Sequence, residues 1–351
     1  MDKLDETPEP GLLASADPRL GRMPAEWETH ASCFMGWPGN REVWGRDLDG
    51  IQGNYLGVAQ AITGFEPVTM IVDPAAASEA RRRLGAGIEI IELPLNEAWL
   101  RDSGPSFVRR GDGTLAGVAW RFNGWGGASV DFTPDRLLAR RLLSHLGLPV
   151  ASSALAMEGG ALHVDGEGTL LTTDTVVFAA NRNPGITRET AEAEFSRLLG
   201  VEKTIWLPGN PYEKGTDGHI DCIACFVRPG VAMFETSAAT REELRAVTER
   251  NQRALESQRD AKGRSIELLY IQEAPELGRP VVPGWGYCGS YLNFYIANGG
   301  IVMPKFGIRE DEAAREIVIA AFPDRAVVQV DVSEIAGCGG GIHCITQQRP
   351  A

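Results

Sequence analysis

The chain has 351 residues, 43% of them hydrophobic and 23% charged, with a formal net charge of −13. That is enough chain to bury a large core, and the acidic balance argues against a nucleic-acid or anionic-membrane surface while suiting small cationic molecules. No apolar run approaches a membrane span, no charged n-region and apolar h-region open the chain, and six cysteines without an export signal suit free thiols in a reducing, cytoplasmic setting.

Residues 1–21 begin with Asp, Glu and Pro in quick succession and read as a poorly ordered tail. From residue 22 to 351 the chain reads as one domain. The first unit runs strand (32–38), helix (54–63), β-branched strand (68–72), helix (76–84) and strand (88–93), with Gly85 and Gly87 stopping the second helix. The second begins as a hairpin, 106–109 and 115–121 around Gly111-Asp112-Gly113, and continues with a helix at 134–146 that ends on Gly147. In the third, strands 161–164 and 169–173 flank Asp165-Gly166-Glu167-Gly168, and a helix (187–199) leads to a strand (204–207). The fourth has strands 223–227 and 231–235, a helix from 240 to about 256, and a strand at 266–271. The fifth has strands 291–296 and 301–304, a helix at 311–322, and a strand at 326–332.

Hairpin, helix and strand thus recur at intervals of roughly sixty residues, the mark of a repeat architecture. Tight turns make adjacent strands antiparallel, which separates this pattern from a doubly wound parallel sheet. Five copies arranged as a ring form one closed α/β domain.

The chemistry-bearing residues fall at one matched place, just before each hairpin's first strand. They are Trp99-Leu100-Arg101-Asp102 before the second, Met157-Glu158-Gly159-Gly160 before the third, Asp217-Gly218-His219-Ile220-Asp221 before the fourth and Tyr287-Cys288-Gly289-Ser290 before the fifth. Cys344 closes a glycine run, 337–341, after the last strand. Equivalent positions in a ring converge on its axis, so Asp102, Glu158, His219, Asp221 and Cys344 are expected to meet. A spacing of two puts His219 and Asp221 on one face if they lie on a strand. Cys222-x-x-Cys225 is half a zinc pattern with no second pair to complete it.

One thiol and one histidine suit covalent catalysis with the imidazole as acid and base. Carboxylates facing a thiol raise its pKa unless a cation sits between them. A guanidinium is such a cation: planar, with paired N–H donors that two carboxylates can grip while its carbon faces the sulfur. Metal hydrolysis is the competing use of carboxylates and His, but no His-x-x-x-His or equivalent spacing appears. Amidine transfer to an amine, passive binding of a cationic amine, and thiol proteolysis remain as rival readings.

These residues resemble the agmatine deiminases, members of the guanidine-modifying superfamily with the five-bladed α/β-propeller (pentein) fold. The motifs that carry the resemblance are Arg22-Met23-Pro24-Ala25-Glu26, 96–108 (NEAWLRDSGPSFV), 158–173 (EGGALHVDGEGTLLTT), Asn181-Arg182-Asn183-Pro184, Gly218-His219-Ile220-Asp221 and His343-Cys344-Ile345-Thr346-Gln347-Gln348. The resemblance implies Cys344 as nucleophile, His219 as general acid and base, Asp102 and Asp221 as guanidinium grips, and Glu158 as partner to the guanidinium or to His219. It also implies a small guanidino substrate, no metal and no cofactor, and a place in polyamine biosynthesis with N-carbamoylputrescine as product. Trp99 and Asp217 complete the candidate substrate-binding set, Asp217 because an extra acid suits an amine tail. The family commonly has Asn at the positions of Asp217 and Cys222, and Cys338 interrupts a stretch that is usually aliphatic or glycine. Ring-like enzymes of this size often pair as homo-oligomers.

Overall fold

A computed structural model describes residues 19–351 except 46, 130, 239, 240, 276 and 283. Most of the expected tail, up to residue 18, lies outside the described residues. Just beyond it the backbone is already tied down: Leu20 N donates to Arg197 O at 2.7 Å, Arg22 N to Arg109 O at 2.9 Å and Met23 N to Leu199 O at 2.9 Å.

Five separate sheets carry the repeat. The first contains β1 (His30–Gly36), β2 (Val68–Val72) and β3 (Glu89–Glu92). The second contains β4 (Ser106–Arg109), β5 (Leu115–Ala119) and β6 (Val150–Ser152). The third contains β7 (His163–Val164), β8 (Thr169–Thr173) and β9 (Lys203–Leu207). The fourth contains β10 (Ala224–Arg228), β11 (Val231–Thr236) and β12 (Glu267–Gln272), and the fifth β13 (Tyr295–Ala297), β14 (Gly300–Lys305) and β15 (Ala326–Asp331).

In the second to fifth sheets the first two strands pair antiparallel and the second pairs parallel with the third. A parallel partner demands a crossover, and a helix supplies it each time. The middle strands β2 and β8 are buried along their whole length, which is why they read as unbroken runs, with no alternation of apolar and polar residues. The crossover helix Leu138–His145 buries Leu138, Ala139, Leu142 and Leu143; the matching helix Arg188–Leu199 is capped by the Thr187 side chain at its start and by left-handed Gly200 at its end. The core consists of three apolar clusters that each span neighbouring units.

The ring closes through a strand that the sequence pattern did not reveal. β16 (Thr346–Pro350) pairs antiparallel with β1, from His30 opposite Pro350 to Met35 opposite Thr346, so the two chain ends build the first unit's hairpin. Three other expectations need correction. β6 lies where the sequence pattern shows no strand; it is only three residues long and half-buried throughout. The fifth unit's first strand begins at Tyr295 and not at 291, because Leu292 N is already bound to Glu235 Oε2 (3.2 Å) and Asn293 reaches toward Cys344. His219 and Asp221 do not lie on a strand: His219 caps a 3-10 turn, Ile220–Cys222, that precedes β10. Cys222 therefore shares no strand with Cys225.

Candidate active site

Each unit contributes one loop to the same place. Asp102 sits on a single helical turn, Leu100–Ser103, and Glu158 caps the turn Gly159–Ala161. Asn293 precedes β13, and Cys344 precedes β16. Arg101 N donates to Cys344 O at 3.1 Å, tying the second unit's loop to the last. Gly160 makes the convergence possible. A Cβ there would lie 2.6 Å from His219 Nδ1 and 2.9 Å from both Asp102 Oδ1 and Asp221 Oδ2, so no side chain fits.

The five residues expected to meet do meet. Cys344 Sγ lies 3.6 Å from Asp221 Oδ2 and 3.3 Å from Asn293 Nδ2. His219 Nε2 is 3.3 Å from Glu158 Oε2, and its Nδ1 is 3.8 Å from Asp102 Oδ1. Asp102 accepts from Trp125 Nε1 and from Gly160 N, both at 2.9 Å. Glu158 is fully buried and held by Arg182 Nε at 2.9 and 3.0 Å to its two oxygens. Asp221 Oδ1 and His219 Nδ1 are buried and have no hydrogen-bond partner among the described residues.

Behind this front lies a second layer of charge. His343 places Nδ1 3.0 Å from Asp221 Oδ2 and Nε2 2.9 Å from Glu26 Oε1. Arg101 Nη1 is 3.2 Å from the same Glu26 oxygen. All four groups are at least nine-tenths buried. Pairing of this kind keeps buried charges tolerable, because an ion left alone there costs several kcal/mol, about 3–5 by partner removal.

These surroundings set the protonation states. Burial disfavours the imidazolium of His219, but Asp102, Glu158 and Asp221 outweigh it and raise the group to about 9. Burial, then Asp221 and Asp102, push the Cys344 thiol well above its ordinary value. Burial works against the charge of Glu158, yet Arg182 and His219 hold it below the ordinary carboxylate range. Asp221 is likewise held low, burial being overcome by His343 and His219. Asp102 moves up, with burial and its two carboxylate neighbours prevailing over His219. At neutral pH the site therefore carries a thiol, an imidazolium and carboxylates whose charge is incompletely matched.

His219, Asp221 and Cys344 line a cavity of about 180 Å³. Asp102 and Glu158 are buried beside it. A larger cavity, about 410 Å³, holds none of these groups; Trp99 faces that one, with Glu97, Trp285 and Cys338. Trp99 is thus not on the wall of the Cys344 cavity. Its ring is 5.3 Å from that of Trp44 and leaves no room for a Cβ at Gly340. Asp217, expected to face a substrate's tail, ion-pairs with Arg182 and accepts from Asn181 Nδ2 at 3.3 Å. Its backbone is left-handed, φ +63, a conformation that costs a non-glycine residue energy. The carboxylate is committed to steadying the arginine that holds Glu158.

Several contributors had no expected role. Arg182 belongs to the run Asn181–Pro184, Glu26 to the run Arg22–Glu26, and His343 is the neighbour of Cys344. Asn293 and Trp125 carried no signal beyond their polar edges. Among the described residues, no cluster of three or more His, Cys, Asp or Glu is placed to hold a metal ion, and no helix is long and apolar enough to cross a membrane.

Comparison with known proteins covers nearly the whole chain. Residues 22–350 match the model of the Porphyromonas-type peptidyl-arginine deiminase family, almost the span over which the motifs ran. A Streptomyces coelicolor protein, provisionally named an agmatine deiminase, is 43% identical over 339 residues, covering 94% of this chain and 98% of its own. The agmatine deiminase of Ectopseudomonas mendocina is 39% identical over 350 residues, covering 94% and 95%. Among solved structures, the agmatine deiminase of Enterococcus faecalis superposes with a TM-score of 0.89 at 31% identity, over 97% of this chain and 99% of that one.

Proposed function

The chain belongs to the Porphyromonas-type peptidyl-arginine deiminase family, and we propose that it hydrolyses agmatine to N-carbamoylputrescine and ammonia through a covalent intermediate on Cys344. One observation carries the reading: a thiol and two carboxylates, Asp102 and Asp221, gather around the proton-bearing His219, with Asp221 Oδ1 still unpartnered. A guanidinium supplies the missing positive charge and the N–H donors.

The reaction follows from these positions. As the guanidinium docks against Asp221 and Asp102, its charge favours the Cys344 thiolate, which the unbound site disfavours, and Asn293 Nδ2 donates to the sulfur. The thiolate attacks the guanidinium carbon and a C–S bond forms. His219 gives its proton to the departing nitrogen, the C–N bond breaks, and ammonia leaves. A thiouronium remains on Cys344. His219, now neutral, takes a proton from water; the water oxygen adds to the carbon, the C–S bond breaks, the added hydroxyl gives up its remaining proton to solvent as the ureido C=O forms, and the product departs as the thiolate returns. Glu158 holds His219 throughout and is itself held by Arg182.

The test is release of ammonia and ureido product from agmatine, without any acceptor amine, by wild-type protein and by Cys344→Ser, with arginine run in parallel. Turnover of agmatine that disappears in Cys344→Ser is expected, with a lower kcat/KM for arginine. Ammonia release only in the presence of an acceptor amine would mean amidine transfer, and a higher kcat/KM for arginine would contradict the choice of substrate.

A further inference from the structure

The Cys344 cavity does not end at the catalytic groups. It runs on past Cys222 and Cys288 to two carboxylates, Glu235 and Glu273. Glu235 stands near the end of β11 and is 8% exposed; its Oε2 accepts from Ser290 Oγ at 2.7 Å and from Leu292 N at 3.2 Å. Glu273 follows the end of β12, the parallel neighbour of β11, and its Oε1 accepts from Ser237 Oγ at 2.6 Å and from Ala238 N at 2.9 Å. In the register of the two strands Glu235 stands opposite Ile271, two positions before Glu273, so the two acids are diagonal neighbours. A second cavity of about 100 Å³, reaching Asn210 and Asn251, is lined by the same pair.

Two features separate this pair from an ordinary acidic patch. Among the described residues no Lys, Arg or His ion-pairs with either carboxylate, although buried Glu158 and Glu26 each have an arginine. Burial, followed by the charge of Glu273, accordingly pushes the Glu235 carboxyl well above its ordinary range. At the other end of the same cavity, the buried acceptor Asp221 Oδ1 has no hydrogen-bond partner among the described residues. The cavity therefore offers unpaired carboxylate oxygen at the catalytic end and two carboxylates without a cation at the other. Glu213 also lines it, but its carboxylate is taken up by Gly215 N, Thr216 N, Thr216 Oγ1 and Gly218 N at 2.7 to 3.0 Å. Between the ends lie the thiols of Cys222 and Cys288, 3.8 Å apart, a weakly polar wall suited to methylene groups.

We propose that Glu235 and Glu273 form the subsite for the terminal ammonium of the substrate, and that this pair selects guanidines with a cationic tail over those ending in a carboxylate. The inference rests on the guanidine hydrolysis proposed above. An ammonium between the two acids relieves their mutual repulsion and gains charge-assisted hydrogen bonds. An amino-acid carboxylate in the same place meets like charge.

The experiment compares kcat/KM for agmatine and for n-butylguanidine, which keeps the guanidinium and the methylenes but has no ammonium. Wild type, Glu235→Gln and Glu273→Gln are measured, and the partly exposed Glu273 keeps the test open should the buried Glu235 variant fail to fold. Wild type is expected to prefer agmatine by about a hundredfold, and each variant to lose at least about tenfold of that preference, through KM for agmatine. A preference unchanged in both variants, or a wild type indifferent to the ammonium, overturns the subsite and leaves the guanidine chemistry standing. A wild type that turns over neither compound overturns that chemistry and this inference together.

Discussion

His343 Nδ1 lies 3.0 Å from Asp221 Oδ2 while its Nε2 lies 2.9 Å from Glu26 Oε1. The residue next to the proposed nucleophile is thus clamped between two buried carboxylates and is there to orient one of them. Burial and Arg101 oppose its charge, but Glu26 and Asp221 prevail and raise its pKa.

Removing that imidazole leaves two buried carboxylates facing each other. His343→Ala is expected to destabilise the protein by about 3–5 kcal/mol in urea unfolding, a penalty set by the uncompensated charges. The pH dependence has a definite sign. The contribution of His343, whose folded pKa is raised, is fully present below about 6.5, its unfolded value, and is lost as pH rises through the folded value. Glu26 is held well below its ordinary value by His343 and Arg101 despite burial, so its contribution is present above about 4.3 and is lost as pH falls further. The stability gap between wild type and His343→Ala should therefore be widest between these limits. A gap that is independent of pH would contradict the charged clamp.

Gly160 offers a probe of geometry with little change in chemistry. A methyl there would press on His219, Asp102 and Asp221 at once. Gly160→Ala is expected to cut kcat by at least about a hundredfold, as misplacement of reacting groups does, while the five sheets and their circular dichroism persist. Near-normal kcat would mean that the three groups need not stand where they do.

The raised thiol pKa of Cys344 and the raised value of His219, about 9, make a prediction about reactivity. In the free enzyme little thiolate exists at neutral pH, so alkylation of Cys344 by iodoacetamide should be slow at pH 7 and should accelerate as pH rises. For agmatine, kcat/KM should climb through the neutral range toward about pH 9, where His219 begins to lose its proton, whereas kcat should vary less because bound guanidinium favours the thiolate. Rapid alkylation at pH 7, or a kcat/KM that falls from pH 7 upward, would contradict this ordering.

Much of the arrangement was legible because it repeats. Turns such as Asp165–Gly168 and Gly111–Gly113 mark the hairpins, and matched positions before them pick out Asp102, Glu158 and His219 without any alignment. The closing strand β16 was not legible: Thr346-Gln347-Gln348-Arg349-Pro350 shows no apolar alternation, and its burial comes from pairing with β1 at the opposite end of the chain. The clamp was equally hidden, since Glu26 and His343 are 317 positions apart and only ring closure joins them. The partner of Asp217 was hidden for a related reason. An acid beside Gly-His suggests an amine tail, but Arg182, 35 positions earlier, claims its carboxylate.

The proposed mechanism stands or falls on the sulfur of Cys344. Rapid mixing of the enzyme with agmatine, acid quenching and peptide mass spectrometry test it most directly. The predicted result is a transient adduct of agmatine less ammonia on the peptide that carries Cys344, absent from Cys344→Ser and decaying as ureido product appears. Steady turnover with no adduct at any time, together with undiminished activity in Cys344→Ser, would contradict it.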